Sequence, residues 1–239
     1  MAKKIKALLL SAGLGTRLRP QTFDIPKCLI EINNKPILEY WLDSLEKIGC
    51  DATIINTHHL HQKVSSFLKN RKNKKMVIKE SYEEKLLGTA GTLIKHEEFL
   101  KDSLIIMIHT DNMTNFDLSE LIKANAQRPK SCLMTMLTFE TNSPQTCGIV
   151  ERGKDMIVKN FFEKVNNPPS NIANGAIYIF ESTLLAELPK NTSNLFDFSK
   201  DVIPLFLGRI FSYHTQKDFI DIGTPENLLK AKKIFKNII

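Results

Sequence analysis

Strand-like and helix-like segments alternate through the first half of the chain, and this alternation is the feature that most constrains the fold. Apolar runs typical of buried strands lie at residues 6–10, 52–57, 76–80 and 103–111. Amphipathic helix patterns follow them at residues 36–48, 60–69, 92–100 and 116–127. Such βα alternation predicts a mostly parallel sheet with helices on both faces.

The pattern of predicted strands and helices changes after Pro129. Strand-like runs separated by Pro, Asn and Gly lie at residues 131–139, 147–151, 156–164, 175–180 and 208–215. Helices are indicated only near residues 182–186, 198–205 and 225–235. The fold class we predict is α/β, a Rossmann-like, mostly parallel mixed sheet with helices on both faces and a small antiparallel lobe. No repeat or long linker interrupts the chain, so we expect residues 1–239 to form a single domain.

The composition limits the partners of the chain. No apolar run approaches the roughly 18 to 20 residues of a membrane span, so no membrane partner is expected. The apolar stretch at residues 7–10 is too short for the core of a signal peptide, and arginines follow it at once. The four cysteines include no C-x-x-C pair, which favours free thiols and a cytoplasmic location. They are Cys28, Cys50, Cys132 and Cys147.

The net charge of +7 favours anionic partners, either nucleic acid or a phosphorylated small molecule. Much of the excess lies in residues 69–79, between a helix and a strand. No aromatic residues are interleaved there to stack bases, so we expect a solvated loop and no nucleic-acid partner. A basic RNA-binding protein is the alternative, and it predicts tight, salt-dependent RNA binding.

Three histidines and several aromatic residues have simple structural interpretations. His58, His59 and His61 imitate a metal-binding tract, but no cysteine accompanies them, and we expect loop histidines. Trp41 lies on the apolar face of its predicted helix and is expected in the core. The aromatic pair Phe161 and Phe162 is expected in the core as well.

The loop after the first strand carries the strongest functional signal. A dinucleotide fingerprint requires a third glycine where this chain has Leu18, and the glycine and lysine of a P-loop are also missing. Gly13 and Gly15 still allow backbone N–H groups to approach a polyphosphate. Arg17 can bind two phosphate oxygens, and Lys27 adds a further positive charge. In a doubly wound fold this loop lies at the ligand-binding edge.

The pattern G-x-G-T-R-L-x-P-x-T, followed by P-K, resembles the signature of the sugar-1-phosphate nucleotidyltransferases. Ser11 stands where that family usually has Ala or Gly, and Thr110 replaces the Gly of a Gly-Asp pair. Five later segments resemble the family as well, so the likeness extends over essentially the whole chain. They are residues 87–91, 109–112, 162–164, 174–178 and 219–224.

The resemblance implies a set of site residues and Mg²⁺ as the cofactor. The implied catalytic residues are Arg17, Lys27, Asp111 and Asp221, of which Asp111 and Asp221 are the metal ligands. The implied nucleotide-binding residues are Leu10, Ala12, Gly13, Gly15, Thr16, Arg17, Glu83, Gly88, Thr89, Ala90 and Asn112. The implied sugar-phosphate-binding residues are Lys27, Gly148, Glu163, Lys164, Asn174 and Gly175. Residues 1–130 would mainly bind the nucleotide, and residues 131–239, with the antiparallel lobe, the sugar phosphate.

The activity implied by the resemblance joins an NTP to a sugar 1-phosphate and releases pyrophosphate. The carboxylate of Glu83 can accept from N1–H and N2–H₂ of guanine, which favours GTP, and the sugar is expected to be of the mannose or heptose type. One alternative is a uridylyl- or thymidylyltransferase that acts on glucose 1-phosphate or an amino-sugar 1-phosphate. A second is a regulatory module that binds NDP-sugars without turnover. The chain is expected to be a monomer or a homodimer.

Overall fold

The structure, a computed structural model, describes residues 3–72, 75–189 and 191–236. The strands are β1 (Lys4–Leu10), β2 (Glu31–Ile32), β3 (Lys35–Pro36), β4 (Ala52–Thr57), β5 (Val77–Tyr82), β6 (Ser103–His109), β7 (Asn112–Thr114), β8 (Met134–Glu140), β9 (Gly148–Arg152), β10 (Val158–Glu163), β11 (Ile172–Glu181), β12 (Ile210–His214) and β13 (Phe219–Asp221). The α-helices are α1 (Gln21–Asp24), α2 (Ile37–Lys47), α3 (His61–Asn70), α4 (Gly88–Lys95), α5 (Glu97–Leu100), α6 (Leu118–Gln127) and α7 (Pro225–Ile234).

The chain divides into two compact units, each built from segments that are distant in sequence. The first unit comprises residues 5–86, 108–118 and 217–239. The second unit comprises residues 1–4, 87–107 and 119–216.

The first unit contains the parallel strands that the βα alternation predicts. β1 pairs with β4 in parallel, and β4 pairs with β5 in parallel. Every residue of β4 is buried, as expected for a strand covered on both sides. The parallel strand pairing in the first half is therefore confirmed.

Two short antiparallel ladders complete the first unit. β2 pairs with β3, and β7 pairs with β13. The second ladder places Asp221 opposite Asn112, so a segment late in the chain lies beside the end of β6.

The second unit contains the antiparallel lobe that the second half of the sequence predicts. β8 pairs with β11, and β9 pairs with β10 and β11, all in antiparallel order. β12 adds to β8 in parallel. The predicted α/β fold, with both parallel and antiparallel strand pairs, is confirmed.

Three helix predictions require correction. The helix predicted at residues 92–100 is two helices, α4 and α5, which meet at His96. The segment at residues 198–205 forms a π-helical turn and a 3₁₀ turn, because Pro204 has no N–H to continue an α-helix. The segment at 182–186 is a 3₁₀ helix that extends to Glu187.

The basic run at residues 69–79 is only partly the solvated loop that we predicted, and residues 73 and 74 lie outside the described part of the chain. The side chain of Arg71 is 2% exposed and forms ion pairs with three carboxylates. These belong to Glu39, Asp43 and Glu46, which share one face of α2. Arg71 therefore links this segment to α2 through buried ion pairs, because its guanidinium group can donate hydrogen bonds to several acceptors at once.

None of the helices in the described part of the chain combines the length and the apolar character that a membrane span requires.

Candidate active site

The glycine-rich loop begins where β1 ends, and two hydrogen bonds hold its backbone. The N–H of Ser11 donates to Oδ1 of Asn56, at 2.6 Å. Gly15 has a φ of +63°, and a Cβ there would lie 2.8 Å from Cγ2 of Thr22. The hydroxyl of Thr22 donates to the carbonyl of Gly15, at 2.8 Å. Both the backbone angle and the lack of space therefore require glycine at position 15.

The other predicted residues of this loop divide into a buried base and an exposed tip. Leu10 and Ala12 are buried, whereas Gly13, Thr16 and Arg17 are exposed. A Cβ added at Gly13 would meet no heavy atom within 4 Å. The tip thus presents backbone groups and one guanidinium group to solvent, where a polyphosphate could bind.

The two predicted metal ligands come together through the ladder between β7 and β13. Asp111 directly precedes β7, and Asp221 is the last residue of β13. The N–H of Ile222 donates to the carbonyl of Asp111, at 2.9 Å. The side chain of Asn227, in the first turn of α7, donates to the carbonyl of Asp221, at 2.9 Å. The backbones on both sides of the carboxylates are therefore held by hydrogen bonds.

The four predicted catalytic residues form one cluster in the first unit. The ammonium group of Lys27 lies 2.5 Å from Oδ2 of Asp111 and 3.5 Å from Oδ1 of Asp221. Nη2 of Arg17 lies 3.8 Å from Oδ2 of Asp221. The lysine side chain is 11% exposed, whereas the arginine side chain is 61% exposed. Lys27 is thus a buried bridge between the carboxylates, and Arg17 remains accessible to a ligand.

Gly223 is a further site residue that the sequence argument did not single out. A Cβ at this position would lie 2.7 Å from Nη2 of Arg17 and 3.1 Å from Nζ of Lys27. The backbone N–H of Gly223 donates to Oδ1 of Asp221, at 2.7 Å. Any larger residue would push the cations away from the carboxylates. The glycine of the I-D-I-G-T segment was the available signal.

Burial and charge act in opposite directions on the ionisable groups of this cluster. Burial lowers the pKa of Lys27, but the charges of Asp111 and Asp221 outweigh it, and the net pKa is raised. Burial raises the pKa of Asp111. The charges of Lys27 and His109 and the hydrogen bond from Lys27 lower it by a larger amount, so the net pKa lies below its ordinary value. Both members of the pair are therefore held in their charged forms at neutral pH.

The cluster fits a magnesium ion by the chemistry of its oxygen donors. Two carboxylates already share one cationic group, the ammonium of Lys27, so the geometry accommodates a positive charge between them. Among the described residues, no group of three or more His, Cys, Asp or Glu could hold a metal ion. Mg²⁺ is commonly bound by one or two carboxylates together with substrate phosphates and water, and this donor set matches that pattern.

Glu83, the residue predicted to recognise the base, is buried in the first unit. The residue is 2% exposed, and Oε1 accepts from the amide of Asn56, at 3.0 Å. Its backbone N–H donates to the carbonyl of Thr57, at 2.8 Å. Asn56 also accepts from Ser11, so Glu83 is linked through one side chain to the glycine-rich loop.

Asn112 and the three histidines make contacts within the protein. Asn112 is 6% exposed, and its amide donates to the carbonyl of His109, at 3.3 Å. The ring of His58 contacts the carbonyl of Glu83, and that of His59 contacts the carbonyl of Thr22. The ring of His61 packs against that of Tyr82, with the ring centres 4.2 Å apart and the planes tilted by 36°. Each histidine therefore has a different partner.

In the second unit, Gly88, Thr89 and Ala90 form the start of α4. Gly88 has a φ of +73°, and a Cβ there would lie 2.8 Å from the ring of Phe196. The N–H of Ala90 donates to the carbonyl of Phe196, at 3.0 Å. The hydroxyl of Thr89 accepts from the N–H of Phe198, at 2.7 Å. The segment at residues 196–198 thus packs against the first turn of this helix.

Three of the predicted sugar-phosphate residues are neighbours in the ladder between β9 and β10. Gly148 lies opposite Glu163, and a Cβ at Gly148 would be 2.7 Å from Oε2 of that glutamate. Nζ of Lys164 lies 3.3 Å from Oε1 of Glu163, and the lysine side chain is 60% exposed. The glycine therefore makes room for the carboxylate, which holds the accessible lysine beside it.

The other two, Asn174 and Gly175, lie at an irregular point of β11. The register with β8 shifts between Asn174 and Tyr178, and Ala176 has a φ of +50°. The amide of Asn174 donates to the hydroxyl of Tyr178, at 2.6 Å, and its Oδ1 accepts from the N–H of Ala176. Such a bulge redirects side chains, and it is a common feature beside binding sites.

Comparison with known proteins identifies a family match over almost the whole chain. A family model described as nucleotidyl transferase matches residues 6–237. The mannose-1-phosphate guanylyltransferase catalytic subunit beta of Drosophila pseudoobscura pseudoobscura is 30% identical in a match of 235 positions that covers 96% of this chain and 62% of that protein. The chain thus spans about three-fifths of the length of the curated relatives that it matches.

Two solved structures share the fold. HddC from Yersinia pseudotuberculosis, complexed with GMP-PN, is 26% identical with a TM-score of 0.79, and the match covers 96% of this chain and 99% of that one. A putative glucose-1-phosphate thymidylyltransferase from Bacillus anthracis has a TM-score of 0.87 at 20% identity, with coverage of 98% and 96%.

Proposed function

Because the chain belongs to the nucleotidyl transferase family, and its resemblance to sugar-1-phosphate nucleotidyltransferases is confirmed, we propose that it condenses an NTP with a sugar 1-phosphate. A phosphate oxygen of the sugar 1-phosphate forms a bond to the α-phosphorus of the NTP. The bond from that phosphorus to the oxygen bridging to the β-phosphorus breaks, and its electron pair leaves with pyrophosphate. The products are an NDP-sugar and pyrophosphate, and nothing is oxidised or reduced.

The observation that carries this proposal is the convergence of Arg17, Lys27, Asp111 and Asp221. The attacking phosphate is already an anion, so the protein needs no general base. The demands that remain are to hold two polyanions in line and to stabilise the charge that grows on the leaving group. Arg17 is exposed enough to bind the leaving phosphates. Lys27 is largely buried, and its ammonium group would bind the reacting phosphates after turning from the carboxylates.

The carboxylates of Asp111 and Asp221 would hold Mg²⁺, which when bound neutralises the charge of the nucleotide phosphates. Lys164 would bind the phosphate of the sugar, and its pairing with Glu163 limits the positions that its long side chain adopts. Glu163 would accept a hydrogen bond from one sugar hydroxyl, and Asn174 would form a hydrogen bond with another. Gly148 would leave room for the carboxylate of Glu163 beside the sugar, and the bulge at Gly175 would set the direction of these groups.

For the base and the sugar, we propose GTP and a mannose- or heptose-type sugar 1-phosphate. Two observations support guanine. A relative at 30% identity is named a mannose-1-phosphate guanylyltransferase subunit, and the HddC structure at 26% identity contains GMP-PN. Glu83 would supply the carboxylate that guanine donors require, after turning from Asn56 and out of its buried position. The alternative is a uridylyl- or thymidylyltransferase for glucose 1-phosphate or an amino-sugar 1-phosphate.

Residues 1–239 would form one catalytic domain. Residues 1–130 would supply most nucleotide contacts, among them Gly88, Thr89 and Ala90, and residues 131–239 most sugar-phosphate contacts. We place the protein in the cytoplasm because the three buried cysteines are free thiols. Its partners would be the two substrates, with the chain acting as a monomer or homodimer.

A matrix of substrates tests the proposed function. Purified protein with Mg²⁺ is mixed with each of GTP, UTP, dTTP, ATP and CTP, and with each of several sugar 1-phosphates, and released pyrophosphate is measured. We expect the highest rate with GTP and a mannose or heptose 1-phosphate. If NDP-sugars bind but no combination releases pyrophosphate, the chain is a regulatory module rather than an enzyme.

A further inference from the structure

Trp41 makes a contact that its place in the core does not require. It is the single tryptophan of the chain and is 4% exposed. Its indole N–H donates to the backbone carbonyl of Asn112, at 3.0 Å. Packing alone would be served by any large apolar ring at this position on α2. The indole N–H adds a directed bond from the helix to one particular carbonyl.

The carbonyl that Trp41 binds belongs to the backbone that carries the aspartate pair. Asn112 follows Asp111 directly and lies opposite Asp221 in the ladder between β7 and β13. The backbone of Asp111 accepts a further hydrogen bond from Ile222, one residue beyond Asp221. A displacement of Asn112 would therefore shift both carboxylates.

The same helix holds the segment that carries Lys27. The N–H of Ile37, the first residue of α2, donates to the carbonyl of Ile30, at 3.0 Å. Ile30 in turn donates to the carbonyl of Lys27, at 3.2 Å. The hydroxyl of Tyr40 donates to the carbonyl of Ile32, at 2.8 Å. α2 thus contacts the lysine segment at its start and the aspartate segment one turn later.

We propose that Trp41 is a positioning residue for the metal-binding aspartates, acting through the carbonyl of Asn112. This inference rests on the proposed function, in which Asp111 and Asp221 hold Mg²⁺. The indole sets the position of the Asn112 backbone relative to α2, and so the position of the aspartate pair relative to Lys27. Groups that orient metal ligands affect metal affinity strongly even though they do not touch the ion.

The single tryptophan allows a test in which one atom changes. Growth of a tryptophan auxotroph on 3-benzothienylalanine replaces the indole N–H by sulfur at Trp41 alone, with almost the same shape. Trp41→Phe is the genetic counterpart. Tyr40→Phe is the matched control, because it removes one hydrogen-bond donor from the neighbouring position of the same helix and leaves Asn112 untouched.

The readout is Mg²⁺-dependent thermal stabilisation with saturating α,β-methylene-GTP, or the same analogue of the nucleotide that the substrate matrix identifies. We expect the Mg²⁺ concentration at the midpoint to rise about ten-fold in both Trp41 forms and to stay unchanged in Tyr40→Phe. In the wild type, the single indole ¹⁵N–¹H signal should shift on addition of Mg²⁺ and analogue. In Asp111→Asn it should not shift.

The outcomes separate this inference from the proposed function. An unchanged midpoint in the benzothienyl protein would overturn the positioning role even if the enzyme is fully active. A raised midpoint, with a wild type that releases no pyrophosphate from any substrate pair, would support the positioning role and remove the proposed function. A wild type whose stability never responds to Mg²⁺ would overturn the positioning role and the metal-binding role of the two aspartates, while pyrophosphate release alone decides the proposed function.

Discussion

The ammonium group of Lys27 lies 2.5 Å from a carboxylate oxygen of Asp111, and 11% of the lysine side chain is exposed. An ion pair this well shielded is screened only weakly by salt. Oδ1 of Asp221 lies 3.5 Å from the same ammonium group. The site thus holds its two carboxylates around one cation before any substrate binds.

Asp111→Asn should abolish Mg²⁺-dependent turnover and leave the fold intact. The amide keeps an acceptor for Lys27 but loses the charge that binds the metal, so we expect kcat to fall by at least about 10²-fold. The free energy of unfolding should fall by about 1.5–3 kcal/mol, the range for a hydrogen bond to a charged group. Pyrophosphate release and urea unfolding provide the two measurements. Asp218→Asn, at an exposed position three residues before Asp221, should behave as wild type. Near-normal activity in Asp111→Asn would refute the metal role.

Lys27→Met should make the stability of the protein depend strongly on Mg²⁺. Without the ammonium group, the two carboxylates repel each other, and we expect a loss on the order of 2 kcal/mol in EDTA. Mg²⁺ should restore much of that loss, because it takes the position of the missing charge. Turnover should remain low in both conditions, since Lys27 also serves the reacting phosphates. Thermal unfolding with EDTA and with Mg²⁺ measures the effect, and equal stability in the two buffers would argue against a shared cation position.

Glu83→Gln should reduce the use of GTP more than that of UTP or dTTP. A carboxylate that binds two guanine donors contributes a charge-assisted interaction, so we expect kcat/KM for GTP to fall about ten-fold. Glu84→Gln is the matched control, because Glu84 is the exposed neighbour. The amide of Asn56 already donates to Glu83, which offers a different role for this carboxylate. An equal loss with every nucleotide would favour that role, in which Glu83 only supports the glycine-rich loop.

Cys147 should be the first cysteine to react with a thiol reagent in the native protein. Burial raises the pKa of Cys28 and of Cys50 to about 12, and Cys132 is buried as well. At pH 8 a thiol of pKa 12 is ionised to only about one part in 10⁴. Cys147 is half-buried and directly precedes Gly148.

With Ellman's reagent we therefore expect one fast thiol, which Cys147→Ser removes. Because Cys147 adjoins the proposed sugar-phosphate residues, a sugar 1-phosphate that is a substrate should slow the reaction. Inorganic phosphate at the same concentration serves as the control. Two or more fast thiols in the native protein would contradict the burial of the other three cysteines.

Strands covered by other elements were the easiest features to predict from the sequence. β4 has the bounds that its apolar run indicates, because every residue of the strand is buried. α2 differs from its predicted bounds by one residue at each end. The start of α4 was not predicted, because the glycines at positions 88 and 91 disfavour a helix locally. The first turn instead forms a hydrogen bond with the carbonyl of Phe196, a contact distant in sequence.

Contacts between distant segments set the limit of sequence-based prediction for the site. The motif residues Arg17, Lys27, Asp111 and Asp221 were found by their pattern, and the structure brings them together. Asp43 and Glu46 follow Glu39 by four and seven positions, so the sequence places all three on one face of α2. Arg71, which pairs with them, was assigned to a solvated run. No local pattern indicates which carbonyl an indole N–H will bind, so Trp41 was assigned only to the core.

Lys27 joins parts of the chain that are far apart, since its two partners lie 84 and 194 positions away. Closing loops of such length costs chain entropy that only the completed native contacts offset. Helices, whose contacts are local in sequence, form earlier in folding than contacts of this kind. During refolding from urea, helical signal should therefore recover before catalytic competence, with an interval in which the chain is compact but inert.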